Sequence, residues 1–228
     1  MSLAGTGAVA IWHDLLPDAT EDFYEWHNRE HMPERVGIPG FRRGRRYIAI
    51  EGAPKYFNLY EADSPEVLSG GDYVNRLNAP TDWTKRVVPS FKNVARSICR
   101  VVFSSGVGSG GTILTMRFDI PAANRARAIE ALVGRILSPL SLRNGISGAH
   151  LCLADEAISN IETSEKNARA DTTLVPTWIG LLEGNSVRDV RAAGHALVSE
   201  LQPLGATSPE IGIYTLEFTR LKTPWSAG

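Results

Sequence analysis

Two histidines four residues apart, with a glutamate between them, stand in the stretch EDFYEWHNREHMPERVGIPGF, residues 21–41. Histidine exchanges protons near neutral pH, and at this spacing His27 and His31 share one face of an α-helix. Two chemistries compete for them. HNREH fits HxxEH, the inverted zincin pattern in which two histidines clasp a metal ion. That reading is weak: Pro33 distorts the helix just after His31, no third ligand is at hand unless His13 faces this helix, and no metal is assigned. The other chemistry is proton transfer. At about 100° per residue, Phe23, Trp26, His27, Glu30 and Glu34 fall on one side of the helix and Glu25, Arg29 and Met32 on the other. A carboxylate in an apolar stripe needs a partner, and His27 is near enough, so His27 and Glu30 read as a pair that holds a proton. The bland alternative is a Glu30 that reaches solvent or an arginine of the following hairpin.

The elements that must position these groups alternate regularly. GAVAIWHD, ending at Asp14, reads as a strand, and Asp18 to about Arg35 as a helix whose start carries a capping-box spacing, Asp18 with Glu21. Residues 41–51 and 55–62 read as strands joined at Gly52-Ala53-Pro54, residues 64–88 as a mostly polar stretch with helical pieces, and 90–103 as a further strand. SSGVGSGG (104–111) reads as a flexible linker. Beyond it the order begins again: a strand at 112–120, a helix with its stripe at Ile129, Leu132, Val133, Ile136 and Leu140, strands at 146–155 and 172–184, a helix striped by Val187, Val190, Gly194, Leu197, Val198 and Leu201, and a last strand at 210–221. Two βαββαβ orders in tandem predict an α+β protein of two ferredoxin-like units, 1–105 and 110–228, packed sheet to sheet as an intrachain barrel. The alternative is two independent units on a tether.

Alternation along the strands adds candidates. Trp12 and His13 point to opposite faces of the first strand, so one faces the helices and the other the space between sheets. RRGRR (42–46) divides in the same way, Arg42 and Arg46 against Arg43 and Arg45. It reads as a solvated hairpin arm, with Arg46 as the candidate to bind an anionic group. Cys99 and Cys152, far apart and among apolar residues, read as buried reduced thiols. The segment 155–171 is a long polar insertion with no counterpart in the first half; it reads as a structureless hairpin tip, with a flap over a pocket as the alternative.

Composition excludes some partners. Across 228 residues, 24 Lys and Arg against 25 Asp and Glu leave a net charge of −1, so no global field draws the chain to nucleic acid or anionic lipid. The chain has no membrane-length apolar run and no targeting segment at its start, so a cytoplasmic location is expected.

EWHNREHMPERVGIPGF, a helix followed by His31-Met32-Pro33 and then Pro39-Gly40-Phe41 leading into a strand, resembles the helix-to-strand motif of EthD-like proteins in the dimeric α+β barrel superfamily. The likeness is specific over about residues 8–62 and covers the rest only as fold order. It implies facing ferredoxin-like sheets and a role in the metabolism of small, often aromatic or ether compounds. His31 matches the histidine of the family's HxP element and Pro33 its proline. Relatives in the wider superfamily include metal-free monooxygenases, isomerases and cyclases as well as heme-binding members. The second half lacks these residues in its equivalent helix, 122–138, so one pocket per chain is expected. The resulting expectation is a cofactor-independent enzyme for a small apolar or aromatic metabolite, with His31, His27 and Glu30 moving protons and Trp12, His13, Trp26, Arg46 and Tyr60 lining the pocket. A non-catalytic binding protein and a heme- or metal-binding protein are the alternatives. A homodimer beyond the internal pair is compatible with either.

Overall fold

Alternation of inward and outward side chains along eight strands builds the protein. The computed structural model describes residues 3–169 and 172–222. The strands are β1 (Gly7–Leu15), β2 (Phe41–Glu51), β3 (Tyr56–Ala62), β4 (Phe91–Gly106), β5 (Thr112–Phe118), β6 (Ile146–Ala154), β7 (Trp178–Gly184) and β8 (Glu210–Leu221). They close into one antiparallel barrel in the order β1-β3-β2-β8-β5-β7-β6-β4. Each half contributes a ferredoxin-like sheet, ordered 4-1-3-2 and 8-5-7-6. The seams are the β2–β8 and β4–β6 pairs. The class is therefore α+β, with the two sheets face to face as the duplicated order implies. Among the described residues, no helix is long and apolar enough to cross a membrane.

The barrel interior is filled. Trp12, Phe57, Tyr47, Tyr214, Leu59, Ile179 and Leu181 occupy it with both cysteines, which are free and buried. Trp12 stacks on Phe57 with ring centroids 4.9 Å apart and donates from Nε1 to Thr115 Oγ1 at 3.1 Å. One end of the interior is polar. Arg45 on β2 reaches across the barrel to Glu183 on β7 through two bonds of 2.9 and 3.1 Å and also meets Glu61 on β3 at 3.0 Å. Burial pushes the Glu183 carboxyl up, but Arg45 and His150 outweigh it and hold the pKa down at about 2. The solvated-arm reading of RRGRR is thus corrected: Arg45 and Arg46 are 1% and 2% exposed. Inward alternation places Arg45 where two carboxylates from different halves need one cation.

Residues 104–111 are not a slack linker. Strand β4 runs on to Gly106 against β6, and Gly110 donates to Glu183 Oε2 at 3.1 Å. A side chain at Gly110 would place Cβ 2.3 Å from the Gly184 carbonyl oxygen, so glycine serves close approach here and not mobility.

The helices cover the outer faces. Over the first sheet lies one bent helical run: a 3-10 turn (Pro17–Ala19), an α-helix (Thr20–Trp26), a π-helix (His27–His31) and a second α-helix (Met32–Gly37). The Asp18–Glu21 capping box is not formed, since neither helical start has a side-chain cap. Pro33 does not end the helix, which runs on to Gly37 directly after the π-helical turn. The second half repeats the device, with a π-helix at Leu132–Leu137 followed by Pro139. On β2, a Cβ at Gly44 would lie 2.1 Å from Met32 Sδ, so the glycine lets this helix sit close on the sheet.

The insertion is not a structureless tip. Short helices at Glu156–Ser159 and Ser164–Asn167 fold it back, and it lays Glu165 and Arg169 against the first half. Asp155 and Thr163 cap these helices by accepting from the Ile158 and Lys166 amides. Ala170 and Asp171, also part of the expected insertion, lie outside the described residues.

Candidate functional site

The register of the two sheets gives a residue-by-residue internal control. In the first half, outward positions pair as Val9–Tyr60, Ile11–Asn58 and His13–Tyr56. In the second, the matching pairs are Leu114–Leu182, Met116–Gly180 and Phe118–Trp178. His13, Asn58 and Tyr60 therefore stand where the same fold elsewhere uses Phe118, Gly180 and Leu182. The second outer face is an unbroken apolar cluster. Burying polar groups without partners costs a few kcal/mol each, and the fold does not need them there.

These polar groups meet the helix around a small enclosed cavity of about 20 Å³, lined by Ile11, Trp26, His27, His31, Asn58 and Tyr60 together with Val88, Phe91, Glu165 and Arg169. That is room for about one water molecule. His27 Nδ1 lies 3.0 Å from Arg46 Nη1, and His27 Nε2 lies 3.2 Å from the Tyr60 hydroxyl. A guanidinium only donates, so Nδ1 accepts, and Nε2–H donates to the Tyr60 oxygen. The Tyr60 proton is then free to point away from His27. Burial raises the Tyr60 pKa, so it remains a hydroxyl donor. Burial, then His31 and Arg46, lower the His27 pKa well below its ordinary value. Arg46 is in turn fixed by Glu217 on β8 at 2.8 Å and by Asn28 at 2.8 Å. It positions His27 and does not face the cavity as an anion binder.

His31 is 7% exposed, and among the described residues its Nδ1 has no hydrogen-bond partner. Its ring lies 4.2 Å from that of Trp26, whose Nε1 donates to Thr84 Oγ1 at 3.1 Å. Burial, then Arg35 and Arg169, lower the His31 pKa well below normal. Asn58 Oδ1 is a second buried polar atom without a partner among the described residues, while Asn58 Nδ2 lies 3.0 Å from His13 Nε2. His13 Nδ1 faces the Asp14 carbonyl at 3.2 Å. Burial lowers the His13 pKa to about 3, so three neutral imidazoles stand on this face.

The expected His27–Glu30 pair is not formed. Glu30 accepts from Thr81 Oγ1 at 2.5 Å and borders an outer cleft with Pro33, Thr81 and Trp83. The cause is the π-helix: the Met32 N–H reaches back to the His27 carbonyl, five residues away. That wider turn changes the phase on which the α-helical count relied. Trp12 also departs from expectation, since it points into the filled barrel, whereas Trp26, His31 and Tyr60 do line the cavity.

Sequence reasoning missed Asn58, Glu165, Arg169 and Glu217. A polar residue at an outward position of YFNLY was a usable signal for Asn58. The length of the insertion was the signal for the two residues it delivers. Among the described residues, no group of three or more His, Cys, Asp or Glu stands together as a metal-ligand set. The room at His31 is a cavity of about 20 Å³, so a porphyrin, like any organic ligand, enters there only if the side chains that close it move.

No protein-family model matches the chain, and no curated protein matches it. Solved structures share its fold, which is the dimeric α+β barrel. An anthrone oxidase-like protein superposes with a TM-score of 0.64 at 12% identity, over 98% of this chain and 97% of that one. A mutant chlorite dismutase from Candidatus Nitrospira defluvii, in complex with cyanide, gives a TM-score of 0.54 at 10% identity, over 93% of this chain and 91% of that one.

Proposed function

We propose that the protein is an enzyme of small-molecule metabolism that removes a proton from an apolar, aromatic substrate between the first sheet and its helix. The contrast between the two outer faces carries this reading: one keeps buried polar groups that the other, with the same fold, does without. As the Nε2–H tautomer, His31 presents the Nδ1 lone pair to the cavity and accepts the proton. Its electron pair stays on the substrate, and the Tyr60 hydroxyl, turned by His27, donates to the oxygen on which charge develops. Trp26 and Phe91 supply apolar walls. Substrate enters by displacing the side chains that close the cavity, and those from the insertion are on its rim.

Anthrone is the first substrate to test, since its ring-flanked CH₂ is acidic and the anthrone oxidase-like protein shares the fold. Deprotonated anthrone, dioxygen and the proton returned from His31 give anthraquinone and water, dioxygen being the oxidant. His31→Ala is expected to lower kcat by about 10²-fold or more, the usual scale for a general base, with the urea unfolding midpoint retained. A kcat unchanged in His31→Ala, on anthrone or any other substrate the protein turns over, contradicts the assignment.

A further inference from the structure

The insertion from the second half brings a cation into the first half's site. Four guanidinium groups, Arg35, Arg76, Arg96 and Arg169, stand near two carboxylates, Glu34 and Glu165. Arg35 pairs with both carboxylates and Arg76 with Glu34. Arg96 donates to the Tyr73 hydroxyl at 3.0 Å. Arg169 donates to Thr173 Oγ1 at 3.2 Å, and Glu165 lies 3.9 Å away. The Arg169 side chain is 8% exposed. Burial, then the neighbouring Arg96, lower its pKa to about 10. Among the described residues, positive charge in this shell exceeds negative, and a buried charge without close compensation is destabilising.

We propose that Arg169 binds the anionic oxygen of the ligand, so that the ligand is a weakly acidic phenol or enol held as its anion. This rests on the sheet-helix cavity being the ligand site. Arg169 lines that cavity with His31 and Tyr60, and it also lines the adjoining space at Arg96. One guanidinium, one phenol hydroxyl and aromatic walls suit a single charged oxygen on an apolar ring. A phosphate carries more acceptors than these donors satisfy.

The test uses 4-nitrophenol, whose visible band appears on ionisation, with binding measured independently by calorimetry. Bound to the wild-type protein, the probe is expected to ionise about one pH unit below the free probe. Arg169→Gln should abolish that shift. Glu165→Gln, which removes the nearest carboxylate, should deepen it. A probe that binds but ionises alike in wild type, Arg169→Gln and Glu165→Gln overturns the role of Arg169 and leaves the pocket reading standing. A probe that does not bind overturns both. If Arg169→Gln does not fold, the Glu165→Gln shift decides: no deepening overturns the proposal.

Discussion

Replacing Arg45 with Met is expected to destabilise the fold by about 3–5 kcal/mol, the scale for removing one partner of a buried ion pair. Arg43 still serves Glu61, with bonds of 2.8 and 2.7 Å, but Glu183 loses both short guanidinium bonds while staying fully buried. The loss should depend on pH. In the wild type the folded Glu183 pKa lies below its unfolded value, so its contribution is present above the unfolded pKa and fades as pH falls through the folded one. Without Arg45, burial raises the folded pKa above the unfolded value, and protonation then relieves the strain. Urea unfolding should therefore show a larger deficit at pH 7 than at pH 4.5. An equal deficit at both would mean that the Arg45–Glu183 pair does not hold the halves together electrostatically.

The second large effect comes from His13, His27 and His31. Their folded pKa values are depressed by burial, so the unfolded chain binds protons that the folded chain refuses. Stability is full above the unfolded pKa and falls as pH drops below about 6.5, down toward the folded values. At pH 5 the cost is about 2 kcal/mol for His13, whose folded pKa is about 3, given 1.36 kcal/mol per pH unit, and His27 and His31 add to it in the same direction. His13→Phe, which copies Phe118 at the matching position, should remove the His13 part of that slope, about 2 kcal/mol between pH 6.5 and pH 5. Unfolding midpoints that do not change between pH 8 and pH 5 would contradict the buried neutral triad.

Much of the fold was legible because a period of two along strands and a repeated element order are local signals. The facing sheets follow from the repeated order, and alternation separates Arg43 and Arg45 from Arg46, but it did not show that Arg45 and Arg46 are buried. The helix chemistry was legible only in part. His31, His27, Trp26 and Tyr60 do gather, but Glu30 does not, because the π-helix shifts the phase that an ideal α-helix would have kept. Pro33 and Pro139, at like positions late in each half's first helical run, were the available hint of that shift. Asn58 was readable as a polar residue at an outward strand position, whereas Arg169 reaches the cavity through long-range packing, which no local pattern encodes. The same holds for Glu217, whose hold on Arg46 links β8 to His27.

A buried proton acceptor that meets the ligand is tested most directly by the ¹⁵N resonances of His31 in histidine-labelled protein, followed by pH titration and by addition of 4-nitrophenol. The expected result is a neutral ring from pH 8 to pH 5 and a shift of Nδ1 when the probe binds. A ring that titrates near pH 6.5 would contradict its burial as a neutral group, and an Nδ1 signal unmoved by saturating probe would contradict that role for His31.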